Sequence, residues 1–221
     1  MTIFAAVKEV SFMKIIFATG NPGKVREAAE ILGNGFEIVT AAQAGITEDI
    51  PETGTTLRAN SLQKANYIYE RTGMNCFADD SGLEVDILGG APGVETARYS
   101  GEDRNPSKNM TKLLGEMARM EKEASVMRDM GITTPHANRK ARFRTSVTLI
   151  VDGEKHFFDG VMEGSIARER RGDGGFGYDP IFIPEGMDKT NGELGEAFKN
   201  TISHRGKALR AMAAFLHERE H

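Results

Sequence analysis

Cysteine is almost missing from this chain: Cys76 is the one thiol among 221 residues. No intramolecular disulfide can therefore form, which fits a reducing, cytoplasmic setting. Cys76 lies in a short apolar run, where a thiol packs as an inert hydrophobe rather than serving as a nucleophile. An excess of positive charge is also missing. The formal net charge of −4 argues against general affinity for nucleic acid, so any positive charge must be used locally. No apolar run approaches the length of a membrane span, and Lys8, Glu9 and Lys14 interrupt any signal-peptide core. The chain contains no HExxH, CxxC or GxSxG, which leaves zinc hydrolysis and serine acyl transfer without support. His136, His156, His217 and His221 lack ligand spacing. There is no internal repeat and no low-complexity linker. A chain of this length holds one well-packed α/β domain, with room for two lobes.

What is present alternates between strand and helix. Lys14–Thr19 reads as a buried strand, and from Lys24 a helix carries Val25, Ala28, Ala29 and Leu32 on one face. Phe36–Val39 is a short strand, and Leu57–Tyr69 a second helix with Leu62, Ala65 and Tyr69 on one side. Cys76–Asp79 and Leu83–Leu88 read as two strands around an acidic turn. Met110, Leu113, Leu114 and Met117 mark a third helix, followed by a charged, methionine-rich insert, Ala118–Lys140, expected as an exposed helix and loop. Arg142–Val151 alternates, turns at Asp152-Gly153 and returns through Lys155–Phe158, a hairpin pattern. A last helix runs from His204 to about His217. Residues 1–12 precede Met13 and the first good strand, and read as an extension.

Four stretches carry chemistry. The first is Phe77-Ala78-Asp79-Asp80-Ser81-Gly82. Adjacent acids at a strand exit suit Mg²⁺, which keeps waters and takes further ligands from substrate phosphates. Neighbouring strand residues point to opposite faces. That favours Asp80 as ligand or base and Asp79 as a supporting carboxylate, with Glu52 as the candidate second acid. In the second stretch, Thr19-Gly20-Asn21-Pro22-Gly23-Lys24, the residues either cap the next helix as a tight turn or aim backbone N–H groups and a lysine at an anion. It is not a Walker A loop, because the glycine-to-lysine spacing is too short and no Ser or Thr follows Lys24. The third, Gly174-Gly175-Phe176-Gly177-Tyr178-Asp179-Pro180, is either a plain loop or a platform whose aromatics stack on a base. The fourth, Ser203-His204-Arg205, is either a Ser N-cap with a solvated basic turn or a source of donors beside an anion-friendly helix end.

Taken in order, these stretches resemble the inosine triphosphate pyrophosphatase family, which hydrolyses non-standard purine nucleoside triphosphates. The likeness runs from Lys14 to about Leu216. It rests on Thr19–Lys24, Ala78–Gly82, Gly89-Gly90-Ala91-Pro92-Gly93, Ala97-Arg98-Tyr99-Ser100-Gly101, Gly175–Pro180 and Ser203–Gly206. The resemblance implies a single domain spanning the chain: an α/β fold with a long mixed β-sheet flanked by helices, two lobes and a central cleft. It also implies a homodimer and a Mg²⁺ cofactor. On this likeness Thr19, Gly20, Asn21, Pro22, Gly23 and Lys24 match the triphosphate loop, while Glu52 and Asp80 match the metal-holding acids, Asp80 also being the base. Ser81, Lys64 and Lys199 fall at substrate positions. Phe176, Gly177, Tyr178, Asp179, His204 and Arg205 match base-binding positions. Ala59 departs from the pattern, standing before Asn60 where many relatives carry glutamate. The segment before Met13 and the insert after Met117 depart as well.

The residues themselves agree with that chemistry. Cleaving a triphosphate between its α- and β-phosphorus needs charge neutralisation, an in-line water and a base. The expected substrates are ITP, dITP and XTP. A nucleotide-sensing binder is the alternative from another class, but a poised Asp80 would give it nothing. A nucleic-acid contact through the basic 204–210 helix is weakened by the acidic net charge.

Overall fold

The computed structural model describes residues 13–134, 138–195 and 201–219. Its centre is a seven-stranded mixed sheet in the order β2-β1-β3-β5-β6-β7, with β4 set against β3. The N-terminal part is parallel: β1 (Met13–Phe17) lies between β2 (Phe36–Thr40) and β3 (Cys76–Val85). α1 (Pro22–Leu32) and α2 (Leu57–Thr72) supply the crossovers that parallel neighbours require. From β3 onward the sheet is antiparallel. β5 (Lys140–Val151) and β6 (Glu154–Ile166) are its two longest strands, and β7 (Phe182–Pro184) closes the edge. Their connection at Asp152-Gly153 has φ of 52° and 81°. Positive φ at both central residues is what a two-residue hairpin turn matching strand twist requires.

Three apolar clusters fill the layers. On one face of the parallel part, Ile15, Phe17, Phe77 and Leu149 pack against Ala28 and Leu32 of α1 and against Leu209, Met212 and Leu216 of α5 (His204–Arg219). On the other face, Ile16, Ala78 and Ile150 meet Ala65 and Ile68 of α2. The third cluster gathers the far halves of the long strands, with Leu83, Val85, Phe143 and Met162, under Met110, Leu113 and Met117 of α3 (Pro106–Asp129). Strands β3, β5 and β6 thus run through two lobes, as the resemblance implies. Among the described residues, no helix is long and apolar enough to cross a membrane.

Two readings of the sequence change. Residues 76–85 form one unbroken strand, so the acids sit in mid-strand rather than at an exit or turn. Residues 86–88 are a short 3₁₀ turn instead of strand. The reason is pairing: β5 spans every residue from Cys76 to Val85, so Ser81-Gly82 is held extended despite its turn-like composition. The insert after Met117 prolongs α3 to Asp129, with Val126, Met127 and Met130 exposed, as expected for that segment. The expected N-terminal extension, residues 1–12, lies outside the described residues.

Candidate active site

A cleft of about 1790 Å³ opens between the lobes. It forms where β3 loses a neighbour on one side. β1 pairs with β3 only at Cys76 and Phe77, and β4 (Pro92–Gly93) rejoins it at Leu83 and Glu84. Between these points residues 79–82 pair with β5 alone. The open edge lets both faces of the strand reach one cavity, so Asp79 and Asp80 both line it. The pleat still separates their surroundings, as alternation requires. Asp79 points toward α1 and α5, Asp80 toward α2.

On the Asp79 side, Asn21 caps α1: its Oδ1 accepts from the N–H of Gly23 at 2.8 Å and of Lys24 at 3.4 Å. The tight-turn reading of Asn21-Pro22-Gly23 is therefore realised, and these two N–H groups already have a partner at rest. With Asn21 N–H on Thr19 Oγ1 and Val25 N–H on the Asn21 carbonyl as well, the first turn of α1 keeps no open N–H donor, and what it offers an anion is the Lys24 ammonium and the positive end of the helix. The Lys24 ammonium donates to both oxygens of Asp79 at 2.9 Å. Arg205 donates from Nε to Asp79 at 3.0 Å and from Nη1 to Glu27 at 3.1 Å. Burial alone would push the Asp79 carboxyl up, but Lys24, Arg205 and Lys64 outweigh it and hold it far below the usual carboxylate range. Burial pushes the Lys24 ammonium down, against the pull of Asp79. Ser203 caps α5, its Oγ accepting from Gly206 N–H at 2.9 Å. Gly160 of β6 lets the start of α5 lie this close, since a Cβ there would overlap the His204 carbonyl.

On the Asp80 side, Asn60 and Lys64 lie one turn apart on the buried face of α2. Asn60 works in both directions: Oδ1 accepts from Gly54 N–H at 2.7 Å, and Nδ2 donates to Asp80 at 3.0 Å. The first bond docks the 51–54 loop on α2 and so delivers Glu52. The Lys64 ammonium donates to Glu52 and to the Asp79 carbonyl, the latter at 2.7 Å, and lies 4.0 Å from Asp80 Oδ1. Burial pushes the Asp80 carboxyl up, opposed by Lys64 and Asn60 and reinforced by Glu52 and Asp79. Ala59 packs against Gly54, where a Cβ on the glycine would collide with the alanine methyl.

The remaining wall is the 174–180 loop. Gly175 and Gly177 take φ of 75° and 65°, a region that suits glycine. A side chain on Gly175 would overlap Asp179. Asp179 is buried and ties the loop, accepting from Phe176 N–H at 2.8 Å and from Asn191 of the short helix α4 (Asn191–Leu194) at 3.1 Å. Tyr178 is not displayed as expected from a glycine-rich loop. It is 3% exposed, packed in the core, with its hydroxyl donating to the Thr96 carbonyl at 2.9 Å. Phe176, 65% exposed, is the aromatic the loop presents. The His204 ring stacks on Phe143 with centroids 4.9 Å apart, and Ser81 shares a 2.6 Å hydroxyl contact with Thr145.

Thr19, Gly20, Asn21, Gly23, Lys24, Glu52, Lys64, Asp80, Ser81, Phe176, Gly177, Tyr178, Asp179, His204 and Arg205 thus converge on one cleft, with Pro22 opening α1 beside it. Lys199 lies outside the described residues, as do His136 and His221. His156 and His217 pack elsewhere, against Phe215 and Phe36. Sequence reasoning missed Glu27, the second anchor of Arg205, and gave Asn60 no part beyond a place in the resemblance. Helical spacing carries both: Glu27 stands three residues after Lys24, and Asn60 four before Lys64. The lining includes Glu27, Glu30, Glu48, Asp49, Glu52, Asp79, Asp80 and Asp179 against Lys24, Arg26, Lys64, Arg104 and Arg205. Among the described residues, carboxylates therefore exceed cationic side chains in the lining by three.

The chain is similar to known proteins along most of its length. The model of the Ham1 family matches residues 15–215. A dITP/XTP pyrophosphatase of Porphyromonas gingivalis is 49% identical over 203 residues, covering 92% of this chain and 97% of that protein. A dITP/XTP pyrophosphatase of Bacillus subtilis is 43% identical, covering 91% and 96%. A solved HAM1 protein structure from Coxiella burnetii superposes with a TM-score of 0.83 at 33% identity, covering 94% of this chain and all of that one.

Proposed function

Because the chain belongs to the Ham1 family, we propose that it hydrolyses non-standard purine nucleoside triphosphates, dITP, ITP and XTP, to the monophosphate and diphosphate. The observation that carries this reading is the pair Glu52 and Asp80 flanking one ammonium at the wall of a cleft whose described lining is richer in acids than bases. A polyanion enters such a cleft only with cations beside it. Among the described residues no group of three or more His, Cys, Asp or Glu gathers around a common point. Two hard carboxylates with phosphate oxygens and water completing the shell suit Mg²⁺ rather than zinc. Glu52 and Asp80 fit that ion, which when bound would neutralise phosphate charge and acidify water.

The chain's own residues do the rest. Asp80, with its carboxyl raised by burial, accepts the proton of the attacking water. Asn60 fixes the orientation of that carboxylate through its 3.0 Å bond. Lys24 turns from Asp79 to the phosphates at little cost, because Arg205 remains to pair with Asp79. Phe176 offers a face for the purine. His204, or backbone donors nearby, would meet the oxygen at purine position 6. Arg205, engaged by two carboxylates, is better suited to holding the site than to reading the base. A partner of the same kind, in a homodimer, accompanies this reading.

The test is product identification by ³¹P NMR with dITP, XTP and dATP in the presence of Mg²⁺. Diphosphate should appear first, and kcat/KM for dITP and XTP should exceed that for dATP by about a hundredfold, near the upper end of one unpaired polar group. Orthophosphate as first product, or comparable dATP turnover, would overturn the proposal.

A further inference from the structure

Lys64 occupies an unusual position for a lysine expected to bind phosphate. Its side chain is 9% exposed. Its ammonium donates to Glu52 and the Asp79 carbonyl and stands 4.0 Å from Asp80. It therefore neutralises the same two carboxylates that fit a divalent ion. Two cations held between one pair of carboxylates repel, and a partly buried site screens that repulsion less than bulk water does. No third carboxylate joins Glu52 and Asp80 there among the described residues.

We propose that Lys64 competes with the divalent ion for Glu52 and Asp80, and yields only when phosphate oxygens give its ammonium another anion. Metal and triphosphate then bind as a unit, each strengthening the other, because coupling between two ligands is reciprocal. The device suits an acidic cleft: the free protein does not fill with metal, and the carboxylates are released when substrate arrives. The inference rests on the metal reading above and adds an order of binding to it. α2 supplies the means, since Lys64 is anchored through its backbone in mid-helix while its four-carbon stem lets the head swing from one anion to another.

The experiment titrates Mn²⁺ into nucleotide-free protein, with free Mn²⁺ followed by electron paramagnetic resonance. Wild type, Lys64→Met and Lys64→Gln are compared, with and without a non-hydrolysable α,β-methylene dITP analogue. Lys64→Gln keeps a donor for the Asp79 carbonyl, and thermal unfolding checks that each variant is folded. Removing the ammonium should tighten Mn²⁺ binding to the free protein about tenfold or more, by loss of a nearby like charge. The analogue should strengthen Mn²⁺ binding in wild type far more than in either variant. Variants that fold but bind Mn²⁺ alone no more tightly than wild type would overturn the inference while leaving the metal site standing. If Glu52→Gln leaves Mn²⁺ binding with analogue unchanged, the metal site itself is misplaced and the inference falls with it.

Discussion

Side by side on β3, Asp79 faces α1 and α5 while Asp80 faces α2, and the two walls they belong to are built on different electrostatic plans. The Asp79 wall is saturated: two cations, Lys24 and Arg205, hold a carboxylate that is 1% exposed, and Glu27 holds Arg205 in turn. The Asp80 wall is short of positive charge: one ammonium serves Glu52 and lies near Asp80, which also takes an amide bond from Asn60. Burial acts on both carboxyls in the same direction, and the count of neighbouring cations decides the outcome. Asp79 is driven down and Asp80 stays raised. One wall is a scaffold of compensated charge. The other keeps a carboxylate of raised proton affinity at the wall of the cleft.

Substituting each acid in turn should separate the walls most sharply. Asp80→Asn should reduce kcat by about 10²–10⁴, the usual span for a general base, with nucleotide binding still measurable by calorimetry and the thermal midpoint little changed. Asp79→Asn should instead cost about 3–5 kcal/mol of stability, because it strands Lys24 and Arg205 beside an amide. Chemical denaturation of the pair would erase the comparison if both variants lost activity and stability in parallel.

The acid limb of the stability curve sharpens the contrast. Asp79 stays ionised in the folded protein at pH values where the unfolded chain has taken up the proton. The unfolded state then binds more protons, and stability rises with pH in that window. The contribution is therefore complete above the unfolded value of about 4 and is lost as pH falls below it. Asp79→Asn should flatten this limb in urea titrations from pH 6 to 3. A variant curve parallel to wild type would show that Asp79 does not carry the acid sensitivity.

The smallest effects compare the two aromatics of the 174–180 loop. Phe176→Ala should raise KM for dITP by about tenfold or somewhat more, as expected for one lost stacking face, without altering the thermal midpoint. Tyr178→Phe should leave KM alone and cost about 1 kcal/mol of stability through the lost bond to the Thr96 carbonyl. A KM effect at Tyr178 equal to that at Phe176 would return both rings to the base site.

Much of this was legible from residue order alone. The hairpin at Asp152-Gly153, the helical faces of α1 and α2, the buried thiol of Cys76 and the opposed directions of Asp79 and Asp80 follow from local rules of periodicity, turn conformation and pleat. The errors share a cause. Ser81-Gly82 has turn composition, yet a ten-residue pairing with β5 outweighs that preference. Tyr178 stands among glycines, yet its ring completes the cluster with Ile181 and Phe182. In both cases a partner distant in sequence overrode the local tendency.

The sequence by itself determined the alphabet of the site: which acids, lysines and glycine-rich turns exist, and on which side of each strand or helix they emerge. These are consequences of backbone geometry within a few residues. Only the tertiary structure decided which charges meet. Whether Lys24 pairs with Asp79 or Lys64 with Glu52 depends on where β3 loses its neighbour and how the 51–54 loop docks on Asn60. Charge pairing acts through space over a few ångströms and falls off with distance and solvent. Residues 55 or 126 positions apart in the chain therefore set the state of Asp79 as firmly as its immediate neighbours do.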